Sequence, residues 1–306
     1  MTRESCCTDR SRRRAAIGLA LASFSPALLA QPAPLELSVE LVRTGLYLIG
    51  GGGCNSLLRL SAAGAVLVDG KPAGTYRALM SQIRRINKIS DLPLRAVIYT
   101  NHHEVHTGNH AQFIEAGMAV LAQVNALPRL PVVQTAPASA PAAASAAGAR
   151  RKPGAVFGIE QKHGFRIGGV ELQLHHFGPA LTNDDIVVLF PDLRVVAVGE
   201  LYAADDRLPD FRGGGSLPGW AHVLDQVLAL DFELAVPSMG QPVGRAELLA
   251  FKGRVQSLTA RATALVRAGV AQDGFVQQLV AAEPGWTLQL DAEDIARLYK
   301  DLAGGI

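Results

Sequence analysis

Thr100-Asn101-His102-His103-Glu104-Val105-His106-Thr107-Gly108-Asn109 puts three imidazoles and a carboxylate into one short stretch, directly after the apolar run Leu94–Tyr99. The apolar run reads as a buried strand, and the polar stretch as a loop leaving its carboxyl end. Upstream, Leu79, Ile83 and Ile86 share one face at helical spacing, which predicts a helix over Thr75–Asn87. Before that helix, Ala65–Val68 is a further apolar strand. Strand, helix and strand in this order predict a right-handed crossover with a functional loop at the strand's carboxyl end. Further outward, Leu35–Val42, Leu46–Ile49 and Asn55–Leu60 read as strands separated by turns at Gly50–Gly53 and Ala62–Gly64. A short helix is expected over Ala111–Ala116. In the second half, strands are expected at Gly168–His176, Ile186–Pro191, Arg194–Val198 and Glu233–Val236. Helices are expected at about Trp220–Leu230, Arg245–Ala268 and Ala292–Ala303.

The chain has 306 residues, of which 49% are hydrophobic and only 18% charged. Its one candidate membrane segment, Ala15–Ala30, is shorter than the roughly 20 apolar residues a span needs and is broken by Ser23, Ser25 and Pro26. Arg12-Arg13-Arg14, the apolar run Ala15–Phe24 and the small-residue exit ending at Ala30 have the layout of an export signal. The arginine block is compatible with either the general secretory or the twin-arginine route. The expectation is therefore a signal over 1–30, a domain over 31–306, and a periplasmic or secreted location with no stable membrane span after cleavage. Removing 1–30 takes away five arginines and two carboxylates and leaves 24 basic and 25 acidic residues, so no nucleic-acid footprint remains. Cys54 is then the sole cysteine, which leaves no internal disulfide. Between about 131 and 153 the composition collapses to alanine, proline and serine, which predicts a flexible surface insertion.

The histidine stretch resembles the T-H-x-H-x-D-H-x-G-G loop of the metallo-beta-lactamase superfamily. Four further segments are similar to that family's motifs in the same order: Leu67-Val68-Asp69-Gly70, with Asp69 as the structural acid, Gly178-Pro179-Ala180-Leu181-Thr182, Val198-Gly199-Glu200-Leu201, and Val236-Pro237-Ser238-Met239-Gly240. The resemblance implies an α/β (α+β) fold, an αββα sandwich of two mixed sheets covered by helices, with the active site along one edge.

The same resemblance places the family's first metal at Asn101, His103 and Leu181, its second at Val105, His106 and Met239, and Glu200 between the two. A catalytic zinc takes about three protein ligands, and each half-site keeps one imidazole. The sequence thus predicts loss of the dinuclear zinc hydrolase site, with hydrocarbon packed where ligands stood. The protein would be a catalytically impaired hydrolase homologue or a binding protein for a small molecule. Two alternatives stand beside this. One is a divergent hydrolase with a single divalent metal, zinc foremost, on His103, His106 and Glu200; the other is a periplasmic accessory protein with an unidentified protein partner. His102, His110, His175 and His176 are further imidazoles. Cys54 reads as a buried thiol, Gly213-Gly214-Gly215 as a mobile loop beside the site edge, and Trp220 and Trp286 as core anchors.

Overall fold

Alternate residues of the central strands face different partners, and this divides the core into three layers. The computed structural model describes residues 36–88, 91–131, 153–203 and 205–304. The proposed signal over 1–30 and nearly all of the Ala/Pro-rich insertion lie outside them.

The first sheet has seven strands in sequence order: β1 (Ser38–Arg43), β2 (Leu46–Gly50), β3 (Ser56–Ser61), β4 (Gly64–Val68), β5 (Leu94–Ile98), β6 (Ala119–Gln123) and β7 (Val156–Ile159). β1 to β4 form an antiparallel meander, and β5, β6 and β7 add in parallel. The switch to parallel pairing comes where helix α1 (Tyr76–Ile86) intervenes, since only a crossover can return a parallel strand. The second sheet runs β13 (Val243–Gly244), β12 (Leu234–Pro237), β11 (Val195–Gly199), β10 (Val187–Phe190), β9 (Val170–His175) and β8 (Lys162–Ile167).

Val66, Val68, Ala96 and Ile98 point between the sheets and meet Leu172, Leu174, Val188 and Ala197. Their neighbours Leu67, Val97 and Tyr99 point the other way, onto Leu79 and Ile83 of α1 and onto Phe113 of the short helix α3 (His110–Glu115). On the far side, Val187, Leu189, Val196 and Ala235 pack under α4 (Leu217–Leu228), α5 (Arg245–Arg267), α6 (Gln272–Ala282) and α7 (Ala292–Gly304). The result is the expected αββα sandwich. Strands buried on both faces read as near-continuous apolar runs, which is why β4, β10 and β11 stood out in the sequence.

The structure adds elements that the sequence did not announce. β6 follows α3 closely, and β7 and β8 carry mostly exposed side chains, so neither has a clean apolar alternation. α6 buries only Phe275 and Leu279 and contains Gly274, a weak helix former. Trp220 and Trp286 are core anchors as expected: they pack edge-to-face at 5.9 Å, and Phe251 closes the cluster. None of the described helices is long and apolar enough to cross a membrane.

The sheet ends come together at one edge. Ser238 N–H donates to the Gly199 carbonyl (2.8 Å), Asn55 N–H to the Ser238 carbonyl (2.6 Å), and Ile186 N–H to the Thr100 carbonyl (2.6 Å). Gly199 sits at φ +56°, where a Cβ would lie 2.8 Å from Thr100, so the turn that delivers Glu200 needs a glycine here.

Candidate functional site at the sheet edge

Asp69 ends the β4 segment in a left-handed conformation (φ 64°) and turns its carboxylate inward. It accepts from Thr100 N–H (2.8 Å) and from the Thr100 hydroxyl (2.9 and 3.1 Å), which pins the start of the histidine stretch to the first sheet. The stretch then folds into a single helical turn, α2 (Glu104–Thr107), with His103 at its N-cap position. This places His103 and His106 on the inner side, and both face Glu200.

Glu200 is 3% exposed and its two carboxylate oxygens are fully engaged. Oε2 accepts from the Asn101 amide (2.9 Å), lies 2.6 Å from His103 Nδ1 and lies 3.5 Å from His106 Nε2. Oε1 accepts from the Arg207 guanidinium at 2.6 Å. The other arm of Arg207 donates to Met239 Sδ (3.1 Å) and pairs with Asp205 (2.7 Å). His106 is wholly buried, with Nδ1 3.2 Å from Asp69 Oδ2. Its two ring nitrogens face carboxylates on either side, but neither is aligned as a hydrogen bond. Cys54, buried as expected, donates its thiol to the Val105 carbonyl (2.9 Å).

These contacts set the charge state. Burial pulls the His103 pKa down, but hydrogen bonds to Asp210 and Glu200 outweigh it and push the group up to about 9. Burial pulls His106 down as well, but Asp69, Cys54 and Glu200 together outweigh it and hold the group well above the ordinary imidazole value. For Glu200, burial raises the pKa, and the His103 and His106 partners more than reverse that, holding it far below the usual carboxylate range. A buried carboxylate is thus compensated by three protein cations.

The seven positions drawn from the sequence divide four ways, with Val105 half-buried and its carbonyl accepting from the Cys54 thiol. Asn101, His103, His106 and Glu200 converge. Leu181 lies in the apolar layer beneath α4, and Met239, 41% exposed, reaches the site only through Arg207. His110 is buried against the Tyr99 hydroxyl, His175 stacks on Phe177, and His176 bonds the Asp185 carbonyl, so these three lie outside the cluster. Arg207 and Asp210 were not foreseen. Both come from the irregular segment after Glu200, which has no periodicity and no motif spacing. Lys71 was also missed; fully buried with φ 66°, it donates to the carbonyls of Ile49, Gly51 and Cys54 and so latches the glycine turn at 50–53. Its burial pushes the ammonium pKa down from the ordinary lysine value.

A family model described as the metallo-beta-lactamase superfamily matches residues 49–238, more than half of the chain. The chain belongs to the metallo-beta-lactamase superfamily. Among solved structures it is similar to a metallo-beta-lactamase from Pontibacter korlensis (TM-score 0.56, 19% identity, 72% of this chain and 99% of that one). It is also similar to the metallo-beta-lactamase FIM-1 from Pseudomonas aeruginosa in its mono-zinc form (TM-score 0.55, 19% identity, 74% and 97%). The stereoselective inverting sec-alkylsulfatase Pisa1 from Pseudomonas sp. matches 86% of this chain at TM-score 0.62 and 18% identity, and this chain spans 47% of that protein. At such identities the likeness speaks for the fold. No match was found among curated protein sequences.

The superfamily's zinc chemistry can be set against the residues present. Two atoms sharing one zinc at bond lengths near 2.0–2.1 Å stand roughly 3.3 Å apart in tetrahedral geometry. The 2.6 Å between His103 Nδ1 and Glu200 Oε2 is a hydrogen-bond distance, shorter than two atoms sharing one ion would keep. Among the described residues, the group whose ligand atoms all lie within 4.8 Å of one another is His102, His103 and Asp210.

One neighbour of the cluster yields a pH prediction. Burial pushes Asp185 from 3.8 up to about 7, although it accepts from Thr182 N–H (2.7 Å) and faces the Asn101 amide at 3.3 Å. Its folded pKa lies above its unfolded value, so protonated Asp185 is favoured in the fold, and stability falls as pH rises from about 4 through 7. The expected loss is about 2–4 kcal/mol across that window. Urea denaturation at pH 4.5 and 7.5 should show this fall in the parent and a shallower one in Asp185→Asn. Equal slopes in the two proteins would contradict it.

Proposed function

We propose that this superfamily member has given up two-metal hydrolysis and binds a small molecule in the remaining cleft. One observation carries the reading: the Arg207 guanidinium sits on Glu200 and Met239, two positions where the resemblance puts metal ligands. A guanidinium is permanently charged and cannot be displaced by losing a proton. With Leu181 and Val105 offering no donor, the residues present do not fit a dinuclear zinc site. The polar charge balance that a metal pair would supply comes instead from His103, His106 and Arg207.

The sequence led to expect hydrocarbon packed into an empty site, and for Leu181 that is the arrangement. Beside Glu200 the replacement is ionic. Beside Met239 lies a cleft of about 190 Å³ lined by Gly51, Gly53, Cys54, Asn55, Ser238 and Gly240, a mixed polar and thioether surface next to the ionic cluster and of a size for a compact ligand. Export, expected from residues 1–30, is checked by cell fractionation.

The test pairs metal analysis of protein purified without chelator with a panel of a penicillin, an acyl thioester, a phosphate monoester and a sulfate ester. The expected result is at most one metal per chain and no turnover, with one class raising the Tm without being hydrolysed. Two metals per chain, or turnover abolished by His106→Ala, would overturn the loss of hydrolysis. A panel that leaves the Tm unmoved would remove the small-molecule reading.

A further inference from the structure

We infer that His102 Nε2, His103 Nε2 and Asp210 Oδ2 form a mononuclear site for a first-row divalent cation, displaced outward from the positions that the superfamily motif assigns. Neither His102 nor Asp210 occupies a motif ligand position, and His103 would use its other nitrogen. The inference goes beyond the small-molecule reading and does not depend on it.

The distances suit a shared ion. His103 Nε2 lies 3.1 Å and His102 Nε2 3.8 Å from Asp210 Oδ2. Ligand pairs around a zinc- or iron-sized ion are separated by about 2.9–3.4 Å, so the first pair, a hydrogen bond here, already has the spacing and the ion would replace its proton, while the second needs to close by about half an ångström. The two rings meet edge-on at 4.9 Å, with both Nε2 atoms facing the same carboxylate.

The outer atoms of all three groups are already held, which is the stronger argument. His102 Nδ1 lies 2.7 Å from Asp184 Oδ2, and that carboxylate is fully buried and paired with Arg129 at 2.9 Å. His103 Nδ1 lies 2.6 Å from Glu200 Oε2. Asp210 Oδ1 accepts the Gly213 N–H at 2.8 Å. A metal-binding histidine characteristically gives its second nitrogen to a carboxylate, which fixes ring orientation and raises the basicity of the ligand. Here both histidines have that support, from Asp184 and Glu200 respectively.

The glycine run finds its role at the same place. A Cβ at Gly213 would stand 2.4 Å from Asp210 Oδ2 and 3.0 Å from His102 Cε1, so a larger residue here would push the Asp210 carboxylate and the His102 ring out of place. The three side chains are 14%, 25% and 31% exposed, enough for water to reach a cation and complete its coordination. Two imidazoles and one carboxylate on one face, with open positions beyond, suit zinc or iron(II).

The test uses the whole chain, first stripped with chelator and then titrated with Zn²⁺ by calorimetry and with Co²⁺ by visible absorption. One equivalent should bind. Asp210→Asn and His102→Gln should each weaken binding by at least ~100-fold, Asp184→Asn by about 10-fold, and His106→Gln by less than about 3-fold. Gly213→Ala should weaken binding while changing none of the ligand residues. Far-UV circular dichroism of the stripped variants checks that each is folded. Histidine-selective ¹⁵N NMR of the Zn²⁺ form should show Nε2 ligated and Nδ1 protonated on both His102 and His103. Binding that survives Asp210→Asn but is lost with His106→Gln, a His103 ligated through Nδ1, or no Zn²⁺ binding at micromolar concentration would each overturn the inference. None of these outcomes bears on whether the cleft at Met239 takes a ligand.

Discussion

Glu200→Ala is expected to destabilise the fold by about 3–5 kcal/mol, the usual range for removing one partner of a buried ion cluster. The carboxylate satisfies the Asn101 amide, the His103 imidazole and the Arg207 guanidinium, and it faces His106 across 3.5 Å. Without it, the half-buried His103 keeps only Asp210 as a carboxylate partner and the buried His106 only Asp69, so each loses part of the charge compensation that holds its proton. Arg207 retains Asp205, a partly exposed partner, and loses the better one. Urea denaturation in the presence of chelator measures the effect. Arg207→Leu should cost less, about 1–3 kcal/mol, because Glu200 keeps its other donors. The double variant Glu200→Leu/Arg207→Leu should be less destabilised than the sum of the single Leu variants, since the pair shares one contact. A loss under about 1 kcal/mol for Glu200→Ala would mean that the cluster does not hold the sheet edge together.

Trp220→Ala should cost about 4–7 kcal/mol, at the upper end for a single core residue. Truncating a buried tryptophan removes about 3–5 kcal/mol of packing, and orphaning a buried carbonyl adds about 1–2. Trp220 is wholly buried on α4, packs edge-to-face on Phe251 and Trp286, and donates its indole N–H to the Leu201 carbonyl at 2.9 Å. Leu201 follows Glu200 directly, so the indole ties the helical layer to the turn that presents the site carboxylate. Trp220→Phe keeps much of the packing and loses the hydrogen bond, and it should fall between the parent and alanine. Urea midpoints rank the three proteins, and near-UV circular dichroism reports whether the aromatic cluster survives. Equal midpoints for Phe and Ala would assign the whole effect to the hydrogen bond.

The two effects differ in how readable their residues were. Trp220 stands at the start of an expected helix and was expected as a core anchor. Glu200 carried a motif position. Arg207, which decides what Glu200 can do, had neither kind of mark. The same holds for Asp210 against His102 and His103: the histidines announce themselves as a cluster, while the acid lies in a segment with no regular period. Edge strands β7 and β8 were silent for a related reason, since a strand with one or both faces in solvent need not alternate.

What the sequence determined by itself was local and periodic. The buried strands β4, β5, β10 and β11 were visible as apolar runs, and the α1 crossover as a helical stripe. Asp69, His103, His106 and Glu200 were legible through the resemblance, whose motif segments they occupy. Only the tertiary structure decided which groups answer one another at the sheet edge. Arg207 reaches Glu200, and Asp210 reaches the two leading histidines, through the path of an irregular segment whose course is set by packing under α4 and α7. Residue type and spacing encode what a side chain offers; which charge it meets depends on through-space distances of a few ångströms that no sequence interval records.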